Sequence, residues 1–206
     1  MYIAIAGNIG SGKSLLAEML SQRLGWDNVS LCEGDDQNPY LDDFYENMKE
    51  WSFSLQIYFL GMRWRKLSAM SASGRNTIVD RTIYEDAEVF AKNLHNNHLL
   101  GNRDLNSYYE LYNQVINTIE PPVLLVYLKG SSKQLLKNIK KRGRTYEMAI
   151  EKSYLESLGE LYEDWTFSYD KSPILTIDID IHDIASSEQA RLDVVEKVIA
   201  MLSPKG

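Results

Sequence analysis

Gly7-Asn8-Ile9-Gly10-Ser11-Gly12-Lys13-Ser14 follows directly on the apolar run Tyr2-Ile3-Ala4-Ile5-Ala6 and satisfies every position of the pattern GxxxxGK[ST]. A loop of this kind is a phosphate cradle. Its glycines let successive backbone N–H groups turn inward onto phosphate oxygens, Lys13 adds a mobile positive charge over the β- and γ-phosphates, and Ser14 offers a hydroxyl of the type that ligates Mg²⁺. ATP with Mg²⁺ is therefore the expected pair of ligands, held by Gly7 to Ser14. The cradle also needs a strand before it and a helix after it. Leu15–Leu24 supplies the helix, with apolar residues at 15, 16, 19, 20 and 24 and with Glu18, Gln22 and Arg23 opposite them.

Outward from the cradle, short β-rich runs alternate with longer helical patterns: Tyr2–Ala6, Val29–Cys32, Thr77–Val79, Val123–Leu128 and Ile174–Ile177. That alternation predicts an α/β fold, a five-stranded parallel sheet with helices on both faces. Long helical segments are expected over Leu41–Ser71 and Tyr84–Ile119. Trp51–Leu67 is apolar almost all round, which calls for burial in the protein or at a subunit contact. Pro121-Pro122 ends one helix and starts the fourth strand. Nothing resembles a linker or a repeat, so residues 1–206 read as a single domain, with Ser203–Gly206 a frayed tail.

Composition narrows the function classes. With 44% hydrophobic and 25% charged residues the chain has the make-up of a soluble globular protein. It has no apolar run long enough to span a bilayer and no secretory leader, so the cytoplasm is the expected location. The single Cys32 excludes an intrachain disulfide. A net charge of −7 argues against sequence-independent binding to nucleic acid or anionic membrane, but leaves room for a small phosphorylated ligand held by local cations.

Several residue groups beyond the cradle carry chemistry. Asn76–Thr82 is an apolar strand that ends in Asp80 and Arg81. Ligand sites in open α/β sheets lie at the carboxyl ends of strands, so Asp80 is expected at the Mg²⁺ and Arg81 at the reacting phosphoryl oxygens; the plain alternative is a helix cap beside a surface ion pair. Glu33 and the acids that follow it (Asp35, Asp36, Asp42, Asp43 and Glu46) meet no Lys or Arg until Lys49. That segment would repel a phosphorylated acceptor, whereas a neutral alcohol needs a carboxylate to take its proton. Lys133, Lys137, Lys140, Lys141, Arg142 and Arg144 bring six cations together around Gly143, which suits a lid at about 140–147 that closes over a triphosphate. Gln56 and Arg63, seven residues apart, share one face of the apolar helix. Buried, they need partners, which Glu85 or Asp86 could supply, either as a structural pair or as a pocket that reads a base edge. His95 and His98 have the spacing of one helical face but lack a third metal ligand.

Taken together, these residues resemble the deoxynucleoside kinase family, in particular its bacterial deoxyadenosine/deoxyguanosine kinase branch and the related deoxycytidine kinases. The resemblance runs from Gly7 to about Trp165. It is carried by GNIGSGKS, Glu33, Asn38-Pro39-Tyr40-Leu41 with Phe44-Tyr45-Glu46-Asn47, Trp51–Phe59 (WSFSLQIYF), Asp80–Asp86 (DRTIYED), and Arg142-Gly143-Arg144 with Glu147. It implies a P-loop kinase fold, a homodimer packed through helices, and a deoxynucleoside as the small-molecule substrate. It also implies particular roles: Glu33 near the 5′-hydroxyl, Tyr45 and Glu147 at the sugar 3′-hydroxyl, Gln56 at the base, and Arg63 with Asp86 at the base edge. Phe90 would line the base slot, Arg142 and Arg144 would be lid arginines, and Asp80 would be a Mg²⁺ ligand or base. Two positions depart from the family pattern. Gly34 stands where relatives often carry proline, which leaves Glu33, Asp35 and Asp36 in competition as the base, and Thr82 replaces a commoner serine.

The expected reaction is transfer of the ATP γ-phosphoryl to a deoxynucleoside 5′-hydroxyl, with Lys13, Arg81 and Arg142 neutralising charge and Glu33, Asp35, Asp36 or Asp80 taking the proton. A carboxylate at Asp86 would accept from an exocyclic amino group and meet thymine's oxygen unfavourably, which orders the bases as adenine, then guanine or cytosine, then thymine. The rivals are a nucleoside monophosphate kinase of the thymidylate kinase type, which needs cations that the Glu33–Met48 segment lacks, and an ATP-binding module without transferase activity.

Overall fold

Alternation along the first strand sets the layers. In β1 (Tyr2–Gly7), Tyr2, Ala4 and Ala6 turn to one face of the sheet and Ile3 and Ile5 to the other, and all six residues are buried, as a central parallel strand requires. A computed structural model of the protein describes residues 1–31, 38–144, 147 and 150–202. β2 (Asp27–Ser30), β3 (Thr77–Asp80), β4 (Leu124–Lys129) and β5 (Ile174–Asp178) complete a five-stranded sheet in the order β2-β3-β1-β4-β5. Every pairing is parallel. Ile5 pairs with Asp80 and Gly7 with Leu128, so the cradle leaves β1 beside the carboxyl end of β3.

The Ile3/Ile5 face is covered by α1 (Lys13–Leu24) together with two elements of the second half of the chain, α6 (Ser132–Arg142) and α8 (Glu188–Leu202). Leu16, Leu20, Leu135, Ile139, Val194 and Val198 fill that layer. On the opposite face lie α3 (Met48–Ser73), α5 (Asn102–Ile116) and α7 (Lys152–Ser168). Here the strand residues Ala4 and Ala6 are small, and large rings occupy the space: Tyr162 is fully buried and stacks on Tyr127 with centroids 5.7 Å apart.

The expected strands are all present, with ends shifted by a residue or two; Val29–Cys32 is replaced by Asp27–Ser30. Both long helical segments are broken. The first splits into α2 (Leu41–Glu46) and α3 at Asn47, whose side chain accepts from the Glu50 N–H and caps the second helix. The second becomes a π-helical turn (Asp86–Ala91), then α4 (Lys92–Asn96), then α5. His98 lies beyond α4 with φ 57°, so His95 and His98 do not share a helical face as their spacing implied. None of the described helices is long and apolar enough to cross a membrane.

Candidate active site

The cradle is built by backbone that only glycine permits. Gly10 and Gly12 have φ of 80° and 93°, and a Cβ on Gly10 would stand 2.8 Å from the Leu135 carbonyl oxygen. The loop is tied to its surroundings by side-chain amides: Asn138 donates to the Gly10 carbonyl at 2.9 Å, Asn8 Nδ2 donates to the Leu155 carbonyl at 2.9 Å, and Asn8 Oδ1 accepts from Ile9 N–H. Lys13, the first residue of α1, is buried and its Nζ donates to the Gly7 and Asn8 carbonyls at 2.8 and 2.9 Å. Ser11 is buried within the loop.

The end of β3 meets the start of α1. Ser14 Oγ donates to Asp80 Oδ2 at 2.5 Å, while Asp80 Oδ1 is buried with no hydrogen-bond partner among the described residues. A hydroxyl beside a carboxylate with an unused oxygen is a hard-oxygen pair of the kind Mg²⁺ takes. The next residue, Arg81, has φ 81°, a conformation that costs a side-chain-bearing residue and is typical of functional corners. Its guanidinium lies over the Phe90 ring, 4.7 Å from the centroid. Glu85, fully buried, faces both Arg81 and the cradle: its Oε1 accepts from Gly7 N–H at 3.2 Å and lies 3.7 Å from Arg81 Nη1.

Beyond the cradle opens a cavity of about 580 Å³, within the range of small-molecule sites. It gathers Lys13 and Ser14 at one end and Tyr45, Gln56, Arg63, Arg81, Asp86 and Phe90 along its walls, with Arg142, Arg144 and Glu147 at the lid. Arg63 and Asp86 form a salt bridge with both side chains almost fully buried. Arg63 also donates through Nε to the Leu31 carbonyl at 3.2 Å and lies 4.6 Å from the Phe59 ring centre. Gln56 Oε1 and Asp86 Oδ2 are buried acceptors with no hydrogen-bond partner among the described residues. At the lid, Arg142, the last residue of α6, forms a forked pair with the buried Glu147, donating from Nε at 3.0 Å. Arg144 Nη1 lies 3.6 Å from the same carboxylate.

The structure thus brings together every site residue named from the sequence except Glu33, which lies outside the described residues along with Cys32, Gly34, Asp35 and Asp36. Of the two acids offered as partners for Arg63, Asp86 takes the role and Glu85 turns to the cradle. Sequence reasoning missed Tyr154, which stands half-buried in the cavity wall. Burial pushes its hydroxyl up to about 12, against the opposing effect of the Arg81 charge, so it stays protonated at neutral pH. It also missed Tyr162, whose ionisation burial and the Glu85 carboxylate push well above the ordinary range. Tyrosines on the apolar side of an amphipathic helix give no signal that their hydroxyls serve a site. Glu85, by contrast, carried a readable one, the Thr82-x-x-Glu85 capping-box spacing.

A glycine-built anion cradle at the carboxyl edge of a parallel sheet, opening into a cavity of this size, defines a P-loop phosphotransferase acting on a small acceptor. Residues 3–203 match the family model for deoxynucleoside kinase, and the chain belongs to that family. It is 34% identical over 202 residues to a deoxyadenosine/deoxycytidine kinase of Bacillus subtilis, covering 97% of this chain and 92% of that one. It is 37% identical over 213 residues to a deoxyguanosine kinase of Lactobacillus johnsonii, covering 99% and 93%. A solved structure of deoxyadenosine kinase from M. mycoides with bound dATP superposes with a TM-score of 0.83 at 30% identity, covering 97% of this chain and 100% of that one. The protein is a kinase of deoxynucleosides, a transferase of nucleoside salvage, and the monophosphate-kinase and non-transferase readings are set aside.

Proposed function

We propose that the chain transfers the γ-phosphoryl group of ATP to the 5′-hydroxyl of deoxyadenosine, giving deoxyadenosine monophosphate and ADP, with deoxyguanosine and deoxycytidine as poorer acceptors. The observation that carries the choice of base is two buried acceptor oxygens, Gln56 Oε1 and Asp86 Oδ2, that have no hydrogen-bond partner among the described residues and belong to residues lining the cavity. An exocyclic amino group has two hydrogens to give them. Thymine offers the same region an oxygen and a methyl, leaving desolvated acceptors unmet at about 1–3 kcal/mol each. The names of the relatives, which cover deoxyadenosine, deoxycytidine and deoxyguanosine, are consistent with amino-bearing bases.

In the reaction the bond from the γ-phosphorus to the bridging oxygen breaks, a bond to the 5′-oxygen forms, and the 5′ proton passes to a carboxylate. Glu33 is assigned that carboxylate. Asp80 is better suited to the metal, since it stands beside the Ser14 hydroxyl and its second oxygen has no hydrogen-bond partner among the described residues. Ser14 and Asp80 would hold Mg²⁺, which supplies charge neutralisation to the triphosphate. Lys13 and the backbone of Asn8, Ile9, Gly10, Ser11 and Gly12 bind the phosphates, and Gly7, whose N–H is taken by Glu85, opens the loop. Arg81, Arg142 and Arg144 are placed to meet charge on the transferring group, which requires the lid arginines to exchange Glu147 for phosphate oxygens. Tyr45 and Glu147 hold the sugar, and Phe90 stacks beside Arg81 at the base slot. We further propose a single cytoplasmic domain that dimerises through α3 and α5, where Trp64 and Leu111 are exposed at 42% and 50%; sedimentation at micromolar concentration tests the dimer.

The assay is kcat/KM for the four deoxynucleosides at saturating ATP and Mg²⁺. Deoxyadenosine should lead and thymidine should trail by about 10-fold or more. A thymidine preference would overturn this reading of the pocket.

A further inference from the structure

Glu85 and Tyr162 form a buried link between the phosphate cradle and Arg81. β3 stops pairing two residues before β1 does: Arg81 N–H donates to the Ile5 carbonyl at 2.9 Å, and the chain then turns away. Gly7, the first residue of the cradle, is thereby left with a backbone N–H that points at a missing strand neighbour. Glu85 Oε1 occupies that place at 3.2 Å, and the same oxygen accepts from the Tyr162 hydroxyl at 2.6 Å. Tyr162 O–H also lies 2.9 Å from the Gly7 carbonyl, where Lys13 Nζ donates at 2.8 Å.

The second oxygen of Glu85 does a different task. Oε2 accepts from Thr82 N–H at 2.6 Å while Glu85 N–H donates to Thr82 Oγ1 at 3.1 Å, a reciprocal capping box. A capping glutamate ordinarily sits at the surface of a helix start. This one is fully buried, as is Tyr162, and neither lines the cavity. A carboxylate so placed needs opposite charge, and Arg81 Nη1 lies 3.7 Å away. Both ends of the link therefore carry machinery: one carboxylate fixes the Gly7 peptide from which the cradle departs, the corner at which Arg81 holds its left-handed backbone, and the Arg81 guanidinium.

We infer that Glu85, braced by Tyr162, is a positioning residue that sets the distance between the phosphate cradle and Arg81, and so tunes the transfer step rather than ligand binding. It touches neither nucleotide nor nucleoside. The inference rests on the chain phosphorylating a deoxynucleoside with Arg81 at the transferring group.

The test is steady-state kinetics of Glu85→Gln, Tyr162→Phe and the double variant, varying ATP and deoxyadenosine in turn with the other saturating, beside thermal unfolding of the same samples. An amide at position 85 must turn its NH₂ toward either Thr82 N–H or the Gly7 and Tyr162 donors, so it breaks one end of the link. A misplacement on the ångström scale costs up to about 10²-fold in rate. Glu85→Gln should lower kcat by roughly 10- to 100-fold and Tyr162→Phe by about 3- to 10-fold, while KM for both substrates changes by less than about threefold in either direction. Because the two act as one unit, the double variant should be no slower than Glu85→Gln. Wild-type kcat in folded Glu85→Gln, or losses that multiply in the double variant, would overturn the inference. If Glu85→Gln does not fold, Tyr162→Phe decides alone: a reduced kcat at unchanged KM supports the link, and an unchanged kcat refutes it. Failure of the wild-type protein to phosphorylate any deoxynucleoside would instead refute the functional reading beneath it.

Discussion

Replacing Arg63 by methionine tests the base end of the site through stability. Arg63 and Asp86 are each almost fully buried, pair with one another, and line the cavity. Arg63→Met keeps most of the side-chain volume but strands the Asp86 carboxylate, a change that costs about 3–5 kcal/mol when a buried pair loses one partner. The Leu31 carbonyl also loses its donor, worth about 1 kcal/mol. Against a total stability of roughly 5–15 kcal/mol this is a large fraction, and for a chain of this size it corresponds to a Tm drop of about 8–24 °C. The double variant Arg63→Met/Asp86→Leu removes the stranded charge and should recover all but about 1–2 kcal/mol, since a buried pair exchanged for apolar groups is often neutral. It should nevertheless lose activity toward deoxyadenosine. Urea unfolding of wild type, both single variants and the double variant measures the cycle. A loss under about 1 kcal/mol in Arg63→Met, or a double variant as unstable as the single, would refute the claim that these two charges satisfy each other.

Other perturbations address the phosphate end. Glu33→Gln should lower kcat by about 10²- to 10⁴-fold if that acid takes the 5′ proton, and near wild-type turnover would remove it from the mechanism. Arg142→Ala should reduce kcat more than ATP affinity, read as kcat against the Kd for ATP; a pure affinity effect contradicts a role in the transfer step. Asp80→Asn should raise the Mg²⁺ concentration needed for half-maximal rate, with an unchanged Mg²⁺ titration excluding Asp80 as the ligand. Gly10→Ala places a methyl 2.8 Å from the Leu135 carbonyl at a φ of 80°, and should abolish ATP binding measured by calorimetry.

The cradle was legible because its chemistry is written in consecutive residues, and the sheet because five β-rich runs alternate with helices. The breaks in the long helices were not. Asn47 caps α3 through a side-chain contact with Glu50 that hydrophobic periodicity cannot register, and the π-helical turn at Asp86–Ala91 packs the same residue types as an α-helix. At the site, Gln56 and Arg63 stood out as polar interruptions of an apolar face, so their burial was expected, while the residues by themselves left Glu85 and Asp86 open as partner and only the family resemblance pointed to Asp86. Adjacent acids in sequence point to different places in three dimensions: Asp86 reaches α3, and Glu85 reaches back to Gly7 across 78 residues of chain. Tyr154 and Tyr162 belong to α7, whose arrival beside the cradle is a property of the topology alone.

The measurement closest to the central claim is product analysis of a reaction containing ATP, Mg²⁺ and deoxyadenosine, with ADP release followed in parallel with and without the nucleoside. The account predicts ADP release that depends on deoxyadenosine and a phosphorus resonance coupled to the two 5′ protons of the product. Equal ADP release in the absence of nucleoside, or phosphate attached at the 3′-oxygen, would contradict a neutral sugar alcohol seated between the cradle and a proton-accepting acid.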